Sequence, residues 1–261
     1  MTSPEHLLAA YDAQLRTVAE TASAESVRRL GPLHLARYEG GRGFVTYRDL
    51  DGADADQIAA WVRGAARHYR SDPRFVEVEW KTRGHDVAPG LGDALAAAGF
   101  VPEAPESIML GEARGLAGAP DVPGVTVRQV LDEPTIRAMA VMQDEVFGSH
   151  LADRMVGEIT RRLAGGDPLQ VWVAEAEGEI VSAGRLEPVD GSDVAGIWGG
   201  ATLAPWRGRG IYRALTAARA RAALDLGKTL IHSESTERSR PILERAGLVC
   251  ISTTTPYVLT I

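Results

Sequence analysis

The sequence contains very little cysteine and very little lysine. Cys250 is the single cysteine among 261 residues, so the chain cannot form an internal disulfide or a metal site built from several thiolates. Lys81 and Lys228 are the only lysines, and arginine supplies the rest of the basic charge. The net charge of -7 argues against nucleic acid or an anionic membrane as the main partner.

Long hydrophobic runs and targeting signals are also missing. No apolar stretch approaches the roughly 18 residues that span a membrane, and residues 1–6 lack the basic and apolar regions of a secretory signal. We therefore expect a cytoplasmic protein with no membrane partner and no metal. The hydrophobic fraction of 45% is sufficient for one large domain or two small ones.

The most informative stretch is the strand-to-helix turn within residues 199–215. An apolar strand is predicted to end at Leu203, and a helix is predicted to follow Gly210. The turn between them contains Arg207, Gly208 and Arg209. Glycines let the backbone approach a ligand closely, and the free amides and dipole of a helix N-terminus favour an anion. Because the arginines add charged donors, the turn predicts a pyrophosphate site, although two glycines can also serve turn geometry alone.

The two halves of the chain have the same predicted order of elements. In the first half a strand, a helix, the strand 75–81 and a helix that ends at Gly99 follow one another. In the second half the strand that ends at Leu203 is followed by a helix, the strand 229–233 and a helix that ends at Gly247. Residues 111–124 are rich in Gly, Ala and Pro and read as a linker. We therefore predict two domains, residues 1–119 and 120–261.

The turn resembles the acetyl-CoA signature Arg/Gln-x-x-Gly-x-Gly/Ala of the GNAT acetyltransferases, with Tyr212 in place of the final small residue. The element order of the second half is similar to the GNAT fold. The resemblance implies an α/β (α+β) fold of two tandem GNAT-like domains, each a mixed, mostly antiparallel sheet flanked by helices. It also implies that the second domain uses acetyl-CoA as cosubstrate. The residues that would bind it are Ala201, Thr202, Leu203, Arg207, Gly208, Arg209, Gly210, Ile211, Tyr212 and Ser239.

The corresponding turn of the first half is acidic. It contains Asp51, Asp54 and Asp56, which would repel a pyrophosphate and can cap the helix themselves. We therefore interpret the first half as a degenerate GNAT-like domain without an acyl-CoA site.

The resemblance implies direct transfer of an acetyl group to a primary amine of a small molecule. We expect the protein to be a monomer or a homodimer. The sequence departs from the family at the usual tyrosine acid, where Leu243 stands, and at the usual asparagine, where Thr236 stands. Tyr257, Ser239 and Tyr212 are alternative acids, and Glu187, Glu234 and His232 are alternative bases. From these sets the predicted catalytic residues are Glu187, Glu234 and Tyr257.

Two points remain open at this stage. The missing tyrosine leaves a non-catalytic acyl-CoA-binding or partner-binding module as the alternative function. For the acceptor, Asp153 after the loop 147–150 could pair with an amine, or it could simply be an acid in the first turn of a helix.

Overall fold

The computed structural model describes residues 2–118 and 121–261 and divides into two compact units. The first unit contains Ser3–Ile108, Glu234–Glu237 and Cys250–Ile261. The second unit contains Thr2, Met109–Ser233 apart from residues 119 and 120, and Arg238–Val249. The predicted boundary between residues 119 and 120 lies outside the described residues. The observed division differs from the predicted ranges, because the end of the chain belongs to the first unit.

Two helices of the first unit begin at side-chain caps. Its elements are α1 (Pro4–Gln14), β1 (Ser26–Leu30), β2 (Leu33–Tyr38), β3 (Arg42–Thr46), α2 (Ala55–Arg70), β4 (Glu77–Arg83), α3 (Leu91–Ala97) and β5 (Val101–Pro102). The Ser3 hydroxyl accepts a hydrogen bond from the His6 amide at 3.3 Å, which starts α1. The Asp54 carboxylate accepts one from the Gln57 amide at 2.9 Å, which starts α2.

The last strand of the chain closes the sheet of the first unit. Strands β1, β2 and β3 are antiparallel neighbours, and β3 runs parallel to β4. Strand β12 (Val249–Thr260) then pairs antiparallel with β4, from Thr254 opposite Arg83 to Thr260 opposite Glu77. The core between this sheet and helices α2 and α3 includes Val78, Trp80 and Leu95.

A charged cluster lies on the first unit's sheet, on the strand face opposite the β4 residues Val78 and Trp80. Arg83 binds the carboxylate of Glu20, and the Lys81 ammonium lies 3.5 Å from the same carboxylate. Burial opposes ionisation of Glu20, but these two cations and the Thr46 hydroxyl outweigh it and hold the pKa of Glu20 at about 2. The cluster is therefore a network of ion pairs that depends on an ionised Glu20.

The second unit contains the elements predicted for the second half, apart from its last strand. Strand β6 (Glu106–Glu112) leads into it from the first unit. The following elements are α4 (Ala113–Leu116), β7 (Thr126–Val130), α5 (Glu133–Phe147), α6 (Ala152–Ala164), β8 (Gln170–Ala176), β9 (Glu179–Pro188), β10 (Val194–Thr202), α7 (Ile211–Asp225), β11 (Leu230–Ser235) and α8 (Arg240–Ala246).

The sheet of the second unit is mostly antiparallel and is covered by helices on both faces. Strands β7 to β10 are antiparallel neighbours, β10 is parallel to β11, and β6 lies next to β11. Val171 and Val173 pack with residues of α5 and α6, whereas Val181 packs with Ile211 of α7. This confirms the predicted α/β fold with a mixed, mostly antiparallel sheet. No helix in the described ranges is long and apolar enough to cross a membrane.

Candidate functional site

The predicted turn forms the link between β10 and α7. Strand β10 ends at Thr202, a 3-10 turn covers Ala204–Trp206, and α7 begins at Ile211. Gly208 and Gly210 have φ angles of 75° and 84°, a left-handed conformation that side chains rarely tolerate. Gly210 occupies the N-cap position, and no side chain caps the helix there. The amides of the first turn of α7 are therefore available to an anion.

Two exposed arginines flank these amides. The Arg207 Nε donates a hydrogen bond to the Thr202 carbonyl at 2.9 Å, which ties its guanidinium to the end of β10. The guanidinium carbon of Arg209 lies 4.6 Å from the centre of the Trp206 ring. Neither arginine forms an ion pair with an acid in the part of the chain that the structure describes. Their charge is therefore free to bind an anion at the helix N-terminus.

Strand β10 separates from β11 before it reaches the turn. The two strands pair only from Val194 opposite Leu230 to Gly196 opposite His232. Beyond that point β10 continues to Thr202 along β9 and contains a bulge between Trp198 and Ala201. Ala201 and Thr202 pair with β9 but have no partner on β11, and the Leu203 amide donates to the Val181 carbonyl at 3.0 Å. The open edge of β10 is suited to an extended ligand that makes strand-like hydrogen bonds.

Gln143 of α5 holds the bulge from one face of the sheet. Its side chain is fully buried, and Nε2 donates to the Gly199 carbonyl at 2.5 Å. Gly199 has a φ of 60°, so the bulge requires a conformation that glycine tolerates best. Sequence reasoning missed Gln143. The available signal was a polar residue among the apolar positions of α5, next to Met139, Met142 and Val146.

Tyr212 lies against the bulge from the opposite face. A Cβ atom added to Gly200 would be 2.7 Å from the Tyr212 hydroxyl oxygen, so the tyrosine occupies the space that a side chain at 200 would need. The departure from the small residue of the GNAT signature is thus accommodated by a glycine on β10. Ile211 is buried beside it, and its side chain packs against Val181.

The predicted catalytic carboxylate on β9 is held by two arginines. Glu187 accepts hydrogen bonds from Arg162 Nη1 at 2.9 Å and from Arg185 Nε at 3.1 Å. Its side chain is 22% exposed, and Arg162 also binds Asp167. Glu187 is therefore an ion-paired carboxylate that accepts one hydrogen bond on each oxygen.

The other two predicted catalytic residues belong to the first unit. The Glu234 carboxylate lies 2.5 Å from the Lys81 ammonium, and both side chains are mostly buried. Tyr257 is paired in register with Trp80 on β4 and packs against the core of the first unit. The structure therefore does not place Glu234 and Tyr257 in the same compact unit as Glu187 and the turn.

The remaining predicted positions have simple placements. Ser239 directly precedes α8, and its carbonyl accepts from the Ile242 amide at 3.0 Å. Leu243, which stands at the usual tyrosine position, is buried in α8. His232 of β11 lies edge-on to Trp198, with 5.4 Å between the ring centres. Asp153 is 95% exposed and pairs with Arg137 at 2.7 Å, which matches the interpretation as an acid in the first turn of a helix.

Comparison with known proteins gives a family match that falls mostly within the second unit. Residues 136–248, from α5 to the end of α8, match the family model described as the acetyltransferase (GNAT) family. The match to a GNAT domain is confined to this segment. No protein with a curated description matches the sequence. Among the described residues, no group of His, Cys, Asp or Glu side chains has an arrangement that could hold a metal ion.

Solved structures, two of them described as GNAT proteins, align with most of the chain. A GCN5-related N-acetyltransferase from Kribbella flavida aligns at 16% identity with a TM-score of 0.68, over 92% of this chain and 93% of that one. A conserved protein of unknown function from Staphylococcus epidermidis aligns at 11% identity with a TM-score of 0.68, over 94% and 98%. A tandem GNAT protein from the clavulanic acid biosynthesis pathway aligns at 16% identity with a TM-score of 0.62, over 87% and 78%. At these identities the likeness shows the fold, and it confirms the predicted resemblance to tandem GNAT proteins.

Proposed function

We propose that the second unit binds acetyl-CoA and transfers its acetyl group directly to a primary amine of a small molecule. The observation that carries the proposal is the uncapped N-terminus of α7. It has two left-handed glycines before it and two flanking arginines without acid partners among the described residues. Such a turn suits the pyrophosphate of coenzyme A.

The open edge of β10 supports the same proposal. The pantetheine arm would extend along Ala201, Thr202 and Leu203, where β10 has no β11 partner. A backbone amide near the bulge would polarise the thioester carbonyl and stabilise the oxyanion that forms when the amine attacks. Ser239, before α8, would line the same donor site.

Two carboxylates, Glu187 and Glu234, are proposed as alternative general bases for the ammonium of the acceptor. Each is in an ion pair, with Arg162 and Arg185 in one case and with Lys81 in the other. Separate Glu187→Gln and Glu234→Gln variants distinguish them. We expect the true base to be the one whose loss abolishes acetyl transfer while acetyl-CoA still binds.

The first unit is proposed to carry no acyl-CoA site. Asp54 already caps α2, the helix that corresponds to α7, with its own carboxylate. The Asp54 carboxylate occupies a helix amide that a pyrophosphate would need, and its negative charge would repel a pyrophosphate.

Calorimetric titration with acetyl-CoA, and separately with coenzyme A, tests both statements. We expect one saturable site per chain. Two sites would overturn the interpretation of the acidic turn, and the absence of binding would overturn the acyltransferase assignment. A chain that binds acetyl-CoA but releases no coenzyme A with any member of a broad amine panel would instead support the alternative of a non-catalytic acyl-CoA-binding module, which the buried Leu243 favours.

A further inference from the structure

Arg219, in the middle of α7, is a buried cation without an acidic partner. Its side chain is fully buried. Its nitrogen atoms donate to the Leu215 carbonyl at 3.4 Å, the Arg185 carbonyl at 3.2 Å and the Thr216 hydroxyl at 3.3 Å, and the guanidinium also interacts with the Tyr212 side chain. No Asp or Glu among the described residues pairs with it. A buried charge normally has a counter-ion, so this arrangement is unusual for a purely structural side chain.

The side chain of Tyr212 lies next to Arg219. The guanidinium carbon lies 5.9 Å from the centre of the Tyr212 ring. Burial lowers the pKa of Arg219, and Tyr212 acts in the opposite sense by interacting with the charged form. An arginine stays protonated in proteins, so its charge persists next to the phenol.

Two glycines provide the space for this pair beneath the bulge. A Cβ atom added to Gly184 on β9 would be 2.5 Å from Arg219 Nη1. A Cβ atom added to Gly200 on β10 would be 2.5 Å from Tyr212 Cε2 and 2.7 Å from the Tyr212 hydroxyl. The hydroxyl therefore lies at the bulge itself, where the proposed function puts the thioester, and Tyr212 is only partly buried.

We propose that the Tyr212 hydroxyl donates its proton to the departing thiolate of the acyl donor, and that Arg219 is the counter-ion of the tyrosinate that forms. This inference rests on the proposed function. The acceptor nitrogen forms a bond to the carbonyl carbon, the carbon–sulfur bond breaks, and the proton moves from the Tyr212 oxygen to sulfur. Tyrosinate then regains a proton from the protonated amide nitrogen of the product, directly or through water. In this scheme Tyr212 is a catalytic residue and Arg219 is a positioning residue. The negative charge that balances Arg219 is that of the tyrosinate, which exists only during turnover.

The acidity of the thiol of bound coenzyme A tests the proposal without a known acceptor. A hydrogen bond from Tyr212 stabilises the thiolate, so the bound thiol should ionise at lower pH than free coenzyme A. Thiolate formation is followed by its ultraviolet absorption as the pH of the complex is raised. In Tyr212→Phe we expect the pKa of the bound thiol to rise by about one unit or more, a tenfold loss of thiolate stabilisation, with little change in coenzyme A affinity.

Arg219 is tested with three further variants. Arg219→Gln should raise the pKa of the bound thiol in the same direction, and Arg219→Lys should restore part of the effect because it keeps the charge. In the Tyr212→Phe background Arg219→Gln should have no further effect, because Arg219 acts through the tyrosine. Thermal unfolding of each variant separates this effect from a loss of stability.

Tyr257→Phe tests the competing tyrosine, and we expect it to leave the bound thiol unchanged. The proposal is wrong if Tyr212→Phe leaves the acidity of the thiol unchanged, or if Tyr257→Phe alone raises its pKa. A purely structural role for Arg219 would show as a lower melting temperature with an unaltered thiol. Failure of the wild-type chain to bind coenzyme A would contradict the proposed function instead, so the two failures are distinguishable.

Discussion

Replacing Gly210 by Asp and by Asn separates charge from backbone strain at the proposed pyrophosphate site. Gly210 has a φ of 84°, so either side chain adds a left-handed strain of about 1–2 kcal/mol. A Cβ atom at this position would be 3.8 Å from Val122 Cγ2, which is an ordinary contact. The two variants have nearly the same shape, and both can cap α7. They differ by one negative charge at the helix N-terminus.

The size of the charge effect follows from the exposure of the turn. A carboxylate about 4 Å from a phosphate is repelled by about 1 kcal/mol in bulk water and by about 4 kcal/mol near a protein surface of lower dielectric. Gly208, Arg209 and Gly210 are all exposed, so the difference should fall between these values. Gly210→Asp should therefore bind acetyl-CoA about five- to about a thousand-fold more weakly than Gly210→Asn.

Isothermal titration of both variants with acetyl-CoA at low and high salt is the assay. The difference between them should shrink at about 1 M salt, where charges are screened over about 3 Å. Thermal unfolding should give similar stability for the two, because the Asp side chain also favours the helix N-terminus. Equal affinities of the Asp and Asn variants at low salt would show that no anion binds at this turn.

Three further predictions concern the bulge of β10 and two features of the first unit. Gln143→Leu leaves the partly buried Gly199 carbonyl without its 2.5 Å hydrogen bond. We therefore expect a loss of about 1–3 kcal/mol in the free energy of unfolding and a larger fall in kcat than in acetyl-CoA affinity. Unchanged kinetics would show that the bulge needs no such support. The folded pKa of Glu20, about 2, lies below its ordinary value of 4.5. The ionised carboxylate therefore stabilises the fold by about 3 kcal/mol above pH 4.5, and this stabilisation is lost as the pH falls toward 2. Chemical denaturation should show the loss in the wild type and its absence in Glu20→Gln. Asp54→Ala removes the cap of α2 and should cost about 1 kcal/mol of stability, while calorimetry still finds one acetyl-CoA site; a second site would mean that the cap alone blocked binding.

Local sequence signals predicted much of the fold because each acts over a few residues. Asp132 caps α5 through the Thr135 amide at 2.9 Å, as its position before Glu133 and Pro134 indicated. Strand β8 (Gln170–Ala176) can be read from the sequence because Val171 and Val173, two residues apart, lie on the same buried face. By contrast, β1 (Ser26–Leu30) was not predicted, since it is an exposed strand at the edge of a sheet and has no alternation of buried and exposed residues.

The candidate site also contains some residues that the sequence predicts and others that it does not. The residues around Gly208 and Gly210 could be found from the sequence, because the chemistry of that turn lies in consecutive residues whose backbone conformation glycine allows. Gln143, Gly200 and Arg219 could not, since each matters only through a partner far along the chain. A polar residue within a helix does not reveal which carbonyl it binds.

The sequence alone determined much of the order of helices and strands, the repeat of that order, and the conformation of the turn before α7. These depend on caps, glycines and periodicity within short segments. Only the tertiary structure decided that β12 closes the sheet of the first unit, and that Glu234 and Tyr257 belong to that unit. The physical reason is that a strand's alternation fixes which of its faces is buried but not which strand it pairs with, because the hydrogen bonds of any extended backbone are the same.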